Sequence, residues 1–241
     1  MTPEILGRII GGEDVDPMDR LIRTLDELAF IVPAARQVGA RIGLTSGSFD
    51  LGHIGHTRYT RKGWKRAGSD SQVRLMFVAV EEDEKITQRK GPNRPVIPFE
   101  ERVELMASTR WADVLVAKKA NHPKWEITRI MRPDVLLAVE GTYSPEQVVE
   151  LQKICGEVYI VPRQAENSTS NQVRKIQIGG ADQLKKLVHP LIGEKLDLAL
   201  KSAIDQKLLR VPHGVSLSEV VVLLNKACEE AIAQAYSQVK D

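Results

Sequence analysis

Along the chain, short continuous apolar runs alternate with segments whose apolar residues recur every three or four positions. RIGLTSG, VRLMFVAV (73–80), DVLVA, DVLLAV and EVYIVP have the length and β-branched content of strands, and VRLMFVAV reads as one covered on both faces. Between them, residues 54–65, FEERVELMASTR, KWEITRIM and SPEQVVELQKIC carry helical spacing. STSNQVRKIQ predicts a further helix beginning at Ser168 or Thr169. Strands alternating with helices predict an α/β fold, a doubly wound parallel sheet of five strands with helices on both faces. EEDEKITQRKGPNRPVIP, polar and of both charge signs, reads as a long loop.

The ends follow a different rhythm. In the first forty residues Leu21, Leu25, Leu28 and Ala29 fall at helical intervals before Pro33, which predicts a mostly helical segment. Gly179 and Gly180 mark a break, and LSEVVVLLNKACEEAIAQAYSQVK then predicts a long helix, with Ser216 and Glu219 spaced as a capping box. The expected organisation is an N-terminal helical extension (1–38), a central domain (39–178) and a C-terminal helical appendage (179–241).

Composition narrows the functional classes. With 241 residues the chain can bury a substantial core. Its net charge of +2, with basic and acidic residues interspersed, gives no concentrated basic face, so no nucleic-acid partner is expected. Cys155 and Cys228 are far apart and lack CxxC spacing, which argues against a disulfide framework or a structural zinc site and for a reducing cytoplasm. No apolar run approaches the roughly 20 residues of a membrane span, and no basic segment followed by an apolar one opens the chain. The expectation is a cytoplasmic protein without a membrane partner.

Against that background the stretch SGSFDLGHIGH (46–56) stands out, because it takes two of only five histidines. It falls where the first predicted strand of the sheet turns into its helix. Ligands of parallel sheets bind there, and a helix N-terminus offers free N–H groups to anions. Gly47 and Ser48 let backbone approach an anion closely. His53 and His56, three apart, share one face of a helical turn.

The pattern resembles the HIGH-motif nucleotidyltransferases of the cytidylyltransferase-like superfamily, matching at Gly47, Ser48, Phe49, Asp50, His53, Gly55 and His56. The likeness continues through VAVEEDEKITQRKG, with Asp83 at an aspartate position and Lys90 near a phosphate-binding lysine. It extends through RPVIPFEERVELMASTRWADVLV, with a helix arginine at Arg102. VPRQAENSTSNQVRKI is similar to a late motif, matched at Arg163, Ser168, Thr169 and Ser170. The resemblance covers about residues 42–176 and implies a Rossmann-like nucleotidyltransferase domain.

What it implies chemically is transfer of a nucleoside monophosphate from a nucleoside triphosphate to a phosphorylated small molecule, with release of pyrophosphate. The attacking phosphate oxygen is already ionised near neutral pH, so no general base is needed. The protein must align the reactants and neutralise charge at the α-phosphorus. His53, His56 and Lys90 are the expected catalytic residues. Gly47, Ser48, Phe49, Asp50, Gly55, Arg102, Gly141, Tyr143, Arg163, Ser168, Thr169 and Ser170 are the expected nucleotide-binding residues. Mg²⁺ would be bound mainly through the nucleotide phosphates, with no protein metal site. Asp50 has two readings, contact with a metal-bound water or a cap on the following turn. Arg102 and Arg163 read as anion ligands or as solvated charges. The basic residues Lys85, Arg89, Lys90 and Arg94 are expected to form a lid over the triphosphate, and Trp64, Trp111 and Trp125 to serve the core or an interface.

The loop-and-helix segment KGPNRPVIPFEERVELMASTRWADVLV looks most like adenylyltransferases acting on heptose 1-phosphate, which favours ATP and a sugar phosphate. One segment departs. Where those enzymes carry V-K-G-G-D-[YW], this chain has AVEGTYS, with Val139 in the lysine position, Glu140 for a glycine and Thr142 for the aspartate. Only Gly141 and Tyr143 remain. A CTP-dependent cytidylyltransferase acting on a polyol or amino-alcohol phosphate is therefore the alternative. A class I aminoacyl-tRNA synthetase fragment is disfavoured by the lack of a KMSKS-like loop, and a non-catalytic nucleotide-binding protein by retention of the phosphate ligands. The family and the helical tail together lead to the expectation of a homodimer.

Overall fold

The computed structural model describes residues 1–68 and 73–165, with positions 202, 219, 222, 226 and 230 beyond them. The chain divides into two units, Met1–Thr169 and Ser170–Asp241. In the second, Glu219, Val222, Lys226 and Glu230 are helical and exposed. The helix expected from STSNQVRKIQ lies outside the described residues.

In the first unit the strands are β1 (Leu21–Ile22), β2 (Arg41–Gly47), β3 (Arg74–Glu81), β4 (Val114–Lys118), β5 (Val135–Val139) and β6 (Glu157–Val161). They form one parallel sheet in the order β1-β4-β3-β2-β5-β6. From β2 the chain winds outward through β3 and β4, then returns to place β5 on the other side of β2. The carboxyl ends of β2 and β5 therefore flank the switch point, where such sheets open a crevice.

The helices are α1 (Pro3–Ile10), α2 (Leu25–Gln37), α3 (Ile54–Ala67), α4 (Asp83–Lys90), α5 (Phe99–Ala107), α6 (Glu126–Met131) and α7 (Pro145–Gln152). Leu28, Ile31, Val32 and Ala35 of α2, with Ile127 and Met131 of α6 and Leu151 of α7, bury one face of the sheet. Tyr59 of α3 and Phe99, Val103 and Met106 of α5 bury the other. A doubly wound α/β fold is thus present. Helix α3 lies close on the sheet because Gly63 faces it: a Cβ there would stand 2.8 Å from both Leu137 Cδ2 and Met76 Cε.

Three local readings are corrected. The sheet has six strands among the described residues, not five. The additional one arises from residues that fit helical spacing: Leu21 packs into one core and Ile22 into the other, the two-residue alternation of a strand, and β1 pairs with β4. Thr24 then caps α2, accepting from the Glu27 N–H at 3.1 Å, and the helix runs through the exposed Pro33 to Gln37. The stretch read as a long loop begins with helix α4, which buries only Ile86 and so lacks an apolar stripe for sequence to reveal.

Candidate active site

The turn after β2 is held in a costly conformation. Phe49 and Leu51 have φ of 50° and 45°, the left-handed region, at about 1–3 kcal/mol each for residues with side chains. His53 ends the turn as the N-cap of α3, its Nδ1 accepting from the Gly55 N–H at 3.1 Å. A neutral ring accepting at Nδ1 carries its proton on Nε2, which is left as a donor. Gly55 has to be glycine, since a Cβ would sit 2.7 Å from His53 Cε1. The His53 and His56 rings stack at 4.0 Å, and Phe49 meets His56 edge-on at 5.3 Å.

Both histidines are held neutral. Burial, together with the neighbouring His53 and Lys90 charges, pushes His56 down to about 4 against an opposing pull from Asp50, and burial also lowers His53. The His56 Nδ1 is shielded from solvent without a hydrogen-bond partner among the described residues. Lys90, the last residue of α4, donates from Nζ to Ser48 Oγ at 3.0 Å, and its pKa is lowered by burial and by Arg89 and Arg94. Lys118, at the end of β4, donates to Ser46 Oγ at 2.8 Å and is lowered first by burial. These basic groups, their charge disfavoured first by burial, surround one space.

That space is a cavity of about 440 Å³ over the carboxyl ends of β2 and β5. Of the expected residues, Gly47, Ser48, Phe49, His53, Gly55, His56, Lys90, Tyr143 and Arg163 line it. Gly141, with φ of 79°, sits in the adjacent turn but not in the wall. Ser168, Thr169 and Ser170 lie outside the described residues.

Two expected ligands face elsewhere. Asp50 is fully buried and does not line the cavity. Its carboxylate accepts from the N–H groups of Val96 (3.1 Å) and Ile97 (3.0 Å) and pairs with Arg94 at 2.8 Å. Arg94 is buried by that pair, so the expected lid is a helix followed by a clamped segment. Arg102 is also completely buried: it donates to the carbonyls of Ile97 (2.9 Å), Glu81 (2.8 Å) and Ser48 and to Asp83 Oδ1 at 2.7 Å. It ties the end of β3 to the turn after β2 and is a positioning residue rather than a nucleotide contact. Trp64 and Trp111 pack edge to face at 4.9 Å, away from the cavity.

Sequence reasoning passed over Ser46, Tyr59, Glu81 and Lys118, and gave Arg89 only to the lid. Glu81, buried, pairs with Arg89 and stands 3.6 Å from Lys118, spacing two basic side chains along the wall. Tyr59 donates to the Leu137 carbonyl at 2.7 Å. Glu81 and Lys118 are the last residues of their strands. The rule that ligands meet strand carboxyl ends was the available signal.

A second cavity, of about 360 Å³, opens on the opposite face of the sheet, above Leu44, Ala79 and Leu136. It shares Ser46, Lys118 and Tyr143 with the first. Lys85 and the segment His122–Glu126 close it, and Trp125 enters its wall with the left-handed φ of 61°.

A parallel sheet opened at its switch point, with two neutral histidines over the first turn and basic residues around one cavity, is the arrangement of a nucleotidyltransferase enzyme. The chain belongs to the cytidylyltransferase-like family, whose model matches residues 44–203. It is similar to the bifunctional protein HldE of Shigella sonnei (strain Ss046), 33% identical over 159 residues, which are 65% of this chain and 32% of that protein. It is also similar to the bifunctional protein HldE of Geotalea uraniireducens (strain Rf4), 34% identical over 164 residues, 67% of this chain and 32% of that one. The chain thus spans about a third of the length of these relatives. Among solved structures, a lipopolysaccharide core biosynthesis protein from Thermoplasma volcanium GSS1 matches with a TM-score of 0.42 at 18% identity, over 53% of this chain and 98% of that one. No helix among the described residues is long and apolar enough to cross a membrane.

Proposed function

We propose that the chain transfers adenosine monophosphate from ATP to the phosphate of a sugar phosphate in the cytoplasm, releasing pyrophosphate. The observation that carries this is the stacked pair His53 and His56, neutral and donor-bearing, at the mouth of α3 beside Lys90, Lys118 and Arg163. The triphosphate occupies the first cavity and the acceptor approaches from the second, across the shared rim of Ser46 and Lys118.

An ionised oxygen of the acceptor phosphate attacks the α-phosphorus. The bond between that phosphorus and the oxygen bridging to the β-phosphate breaks, and its electron pair leaves with pyrophosphate. His53 and His56 donate hydrogen bonds to phosphate oxygens as charge develops, Lys90 offsets the charge of the departing group, and Lys118, at the rim, holds the attacking phosphate. The resemblance of the late motif proposes Ser168, Thr169 and Ser170 as further nucleotide-binding residues. Among the described residues no three His, Cys, Asp or Glu side chains converge on a metal position, and Asp50 and Glu81 are engaged by basic partners. Magnesium enters the proposed reaction with the nucleotide, held mainly through its phosphates.

The AVEGTYS segment supports a second reading. Val139, Thr142 and Tyr143 line the first cavity, so the departure from the heptose pattern falls on the nucleotide's side and favours a different base, with CTP and a polyol or amino-alcohol phosphate as substrates. Pyrophosphate release with magnesium, comparing ATP and CTP across one panel of sugar, polyol and amino-alcohol phosphates, decides. Turnover with ATP and a sugar phosphate supports the first reading, and turnover with CTP and a polyol or amino-alcohol phosphate the second. Nucleotide binding without turnover on any acceptor overturns both.

A further inference from the structure

We infer that the acceptor carries a second anionic group, remote from the phosphate that reacts, and that Lys85, His122 and Lys124 hold it in the second cavity against Trp125. This rests on the reading of the second cavity as the acceptor's approach.

The reacting phosphate has to meet the α-phosphorus at the boundary between the cavities, where Ser46 and Lys118 stand. An acceptor with one phosphate would therefore satisfy Lys118 and leave the far wall facing an uncharged body. That wall is basic. Lys85 reaches it from α4 and donates to a neutral acceptor, the Lys119 carbonyl, at 3.2 Å. Lys124 Nζ lies 4.0 Å over the Trp125 ring. Neither lysine has an ion pair among the described residues. The one carboxylate of the wall, Glu126, stands 3.6 Å from Arg129. His122 accepts the Lys119 N–H at Nδ1 over 3.4 Å, which leaves its Nε2 as a donor. Burial first, then the charges of Lys119, Lys85 and Lys118, lowers its pKa against an opposing pull from Glu126.

Trp125 adds an independent observation. A bulky residue in the left-handed region is an outlier held by its surroundings, and such strain collects at ligand sites. Here it sets an indole in the cavity wall beside Tyr143, at 6.4 Å and edge to face, a surface for the carbon skeleton that joins two anions. The ligand class is a phosphorylated sugar or polyol bearing a further phosphate or carboxylate.

The test uses glucose 1-phosphate, glucose 1,6-bisphosphate and glucuronic acid 1-phosphate as probes. Binding is followed by calorimetry and tryptophan fluorescence on the full chain saturated with magnesium and a non-hydrolysable ATP analogue. One or both doubly anionic probes should bind at least about tenfold more tightly than glucose 1-phosphate, and the one preferred tells phosphate from carboxylate. The K85Q/K124Q double variant should shrink that advantage to about twofold while leaving analogue affinity and glucose 1-phosphate affinity unchanged. Trp125→Phe should remove the fluorescence response. Equal affinity for all three probes, or a double variant that weakens all three alike, overturns the inference. A retained preference without turnover on any acceptor would instead count against nucleotidyl transfer and leave the second anion site standing.

Discussion

The two cavities meet at Ser46, Lys118 and Tyr143, yet they are built in opposite ways. The first is over-determined: its basic side chains are spaced by Glu81, its turn is fastened from beneath by Arg102 and Asp50, and its histidines are stacked and neutral. The second holds lysines with neutral partners or an aromatic face. Chemistry on an α-phosphorus needs donors fixed before the charge develops, because reorganising them in the transition state would consume their effect. Recognition of an acceptor's far end tolerates flexible lysines, which need only supply charge. On the proposed function, the contrast is that of a half that sets the rate and a half that selects the acceptor.

The largest expected effect tests the fastening of the first cavity. Arg102→Leu should lower folding stability by about 3–5 kcal/mol, since three carbonyls lose their donor around a fully buried side chain, while Asp83, half exposed, can turn to water. Urea denaturation measures it. A variant of unchanged stability but sharply weakened ATP binding would return Arg102 to the ligand and blur the distinction between fastening and contact.

Next comes the assignment of the histidines. His56→Ala should reduce kcat roughly 100- to 1000-fold, the usual loss for one preorganised donor, while nucleotide Kd changes far less. Steady-state kinetics beside calorimetric binding separates the two quantities. Equal losses would mean that His56 serves ground-state binding, and the first cavity would then resemble the second in kind.

Titration gives a smaller effect with a definite sign. His56 is pushed down to about 4 in the folded chain, against about 6.5 for an unperturbed histidine. Between those values the unfolded chain binds a proton that the folded chain refuses. The stability contributed by neutral His56 is present above about pH 6.5 and is lost as pH falls toward 4. A triphosphate reverses the balance by favouring the charged ring, so nucleotide binding should take up protons, more at pH 6 than at pH 8. Calorimetry in two buffers of different ionisation enthalpy reads the uptake, and His56→Asn should reduce its pH dependence, the rest belonging to His53.

Much of this was legible in the chain. The five expected strands are present, and SGSFDLGHIGH coincides with a strand-to-helix turn that brings His53 and His56 to the cavity that Lys90 reaches from the end of α4. What was missed has physical reasons. Two residues of β1 cannot display a period, and α4 hides because one buried isoleucine makes no stripe. A buried arginine on an amphipathic helix is indistinguishable in sequence from a solvated one, because what buries Arg102 are carbonyls brought from Ser48 and Glu81 by the fold. The second cavity was invisible for the same reason, since Lys85 and the segment 122–126 meet only across the strand ends.

The left-handed residues sharpen the comparison at its weakest energies. Phe49 and Leu51 belong to the first turn and Trp125 to the second cavity, but Arg132, with φ of 43°, lies in neither wall. It closes α6 with an exposed side chain, and its carbonyl accepts from Arg36 at 2.8 Å, a bond any residue can keep. Arg132→Gly removes about 1–2 kcal/mol of backbone strain and adds about 0.5–1 kcal/mol of unfolded-chain entropy. A net gain of roughly 0.5–1 kcal/mol, a rise of a few degrees in Tm, should follow with kcat and both substrate affinities unchanged. Trp125→Gly carries the same backbone relief but should forfeit acceptor binding. If both glycine variants left acceptor affinity intact, the strain at Trp125 would be only a helix-end accident, and the indole would lose its role in the second cavity.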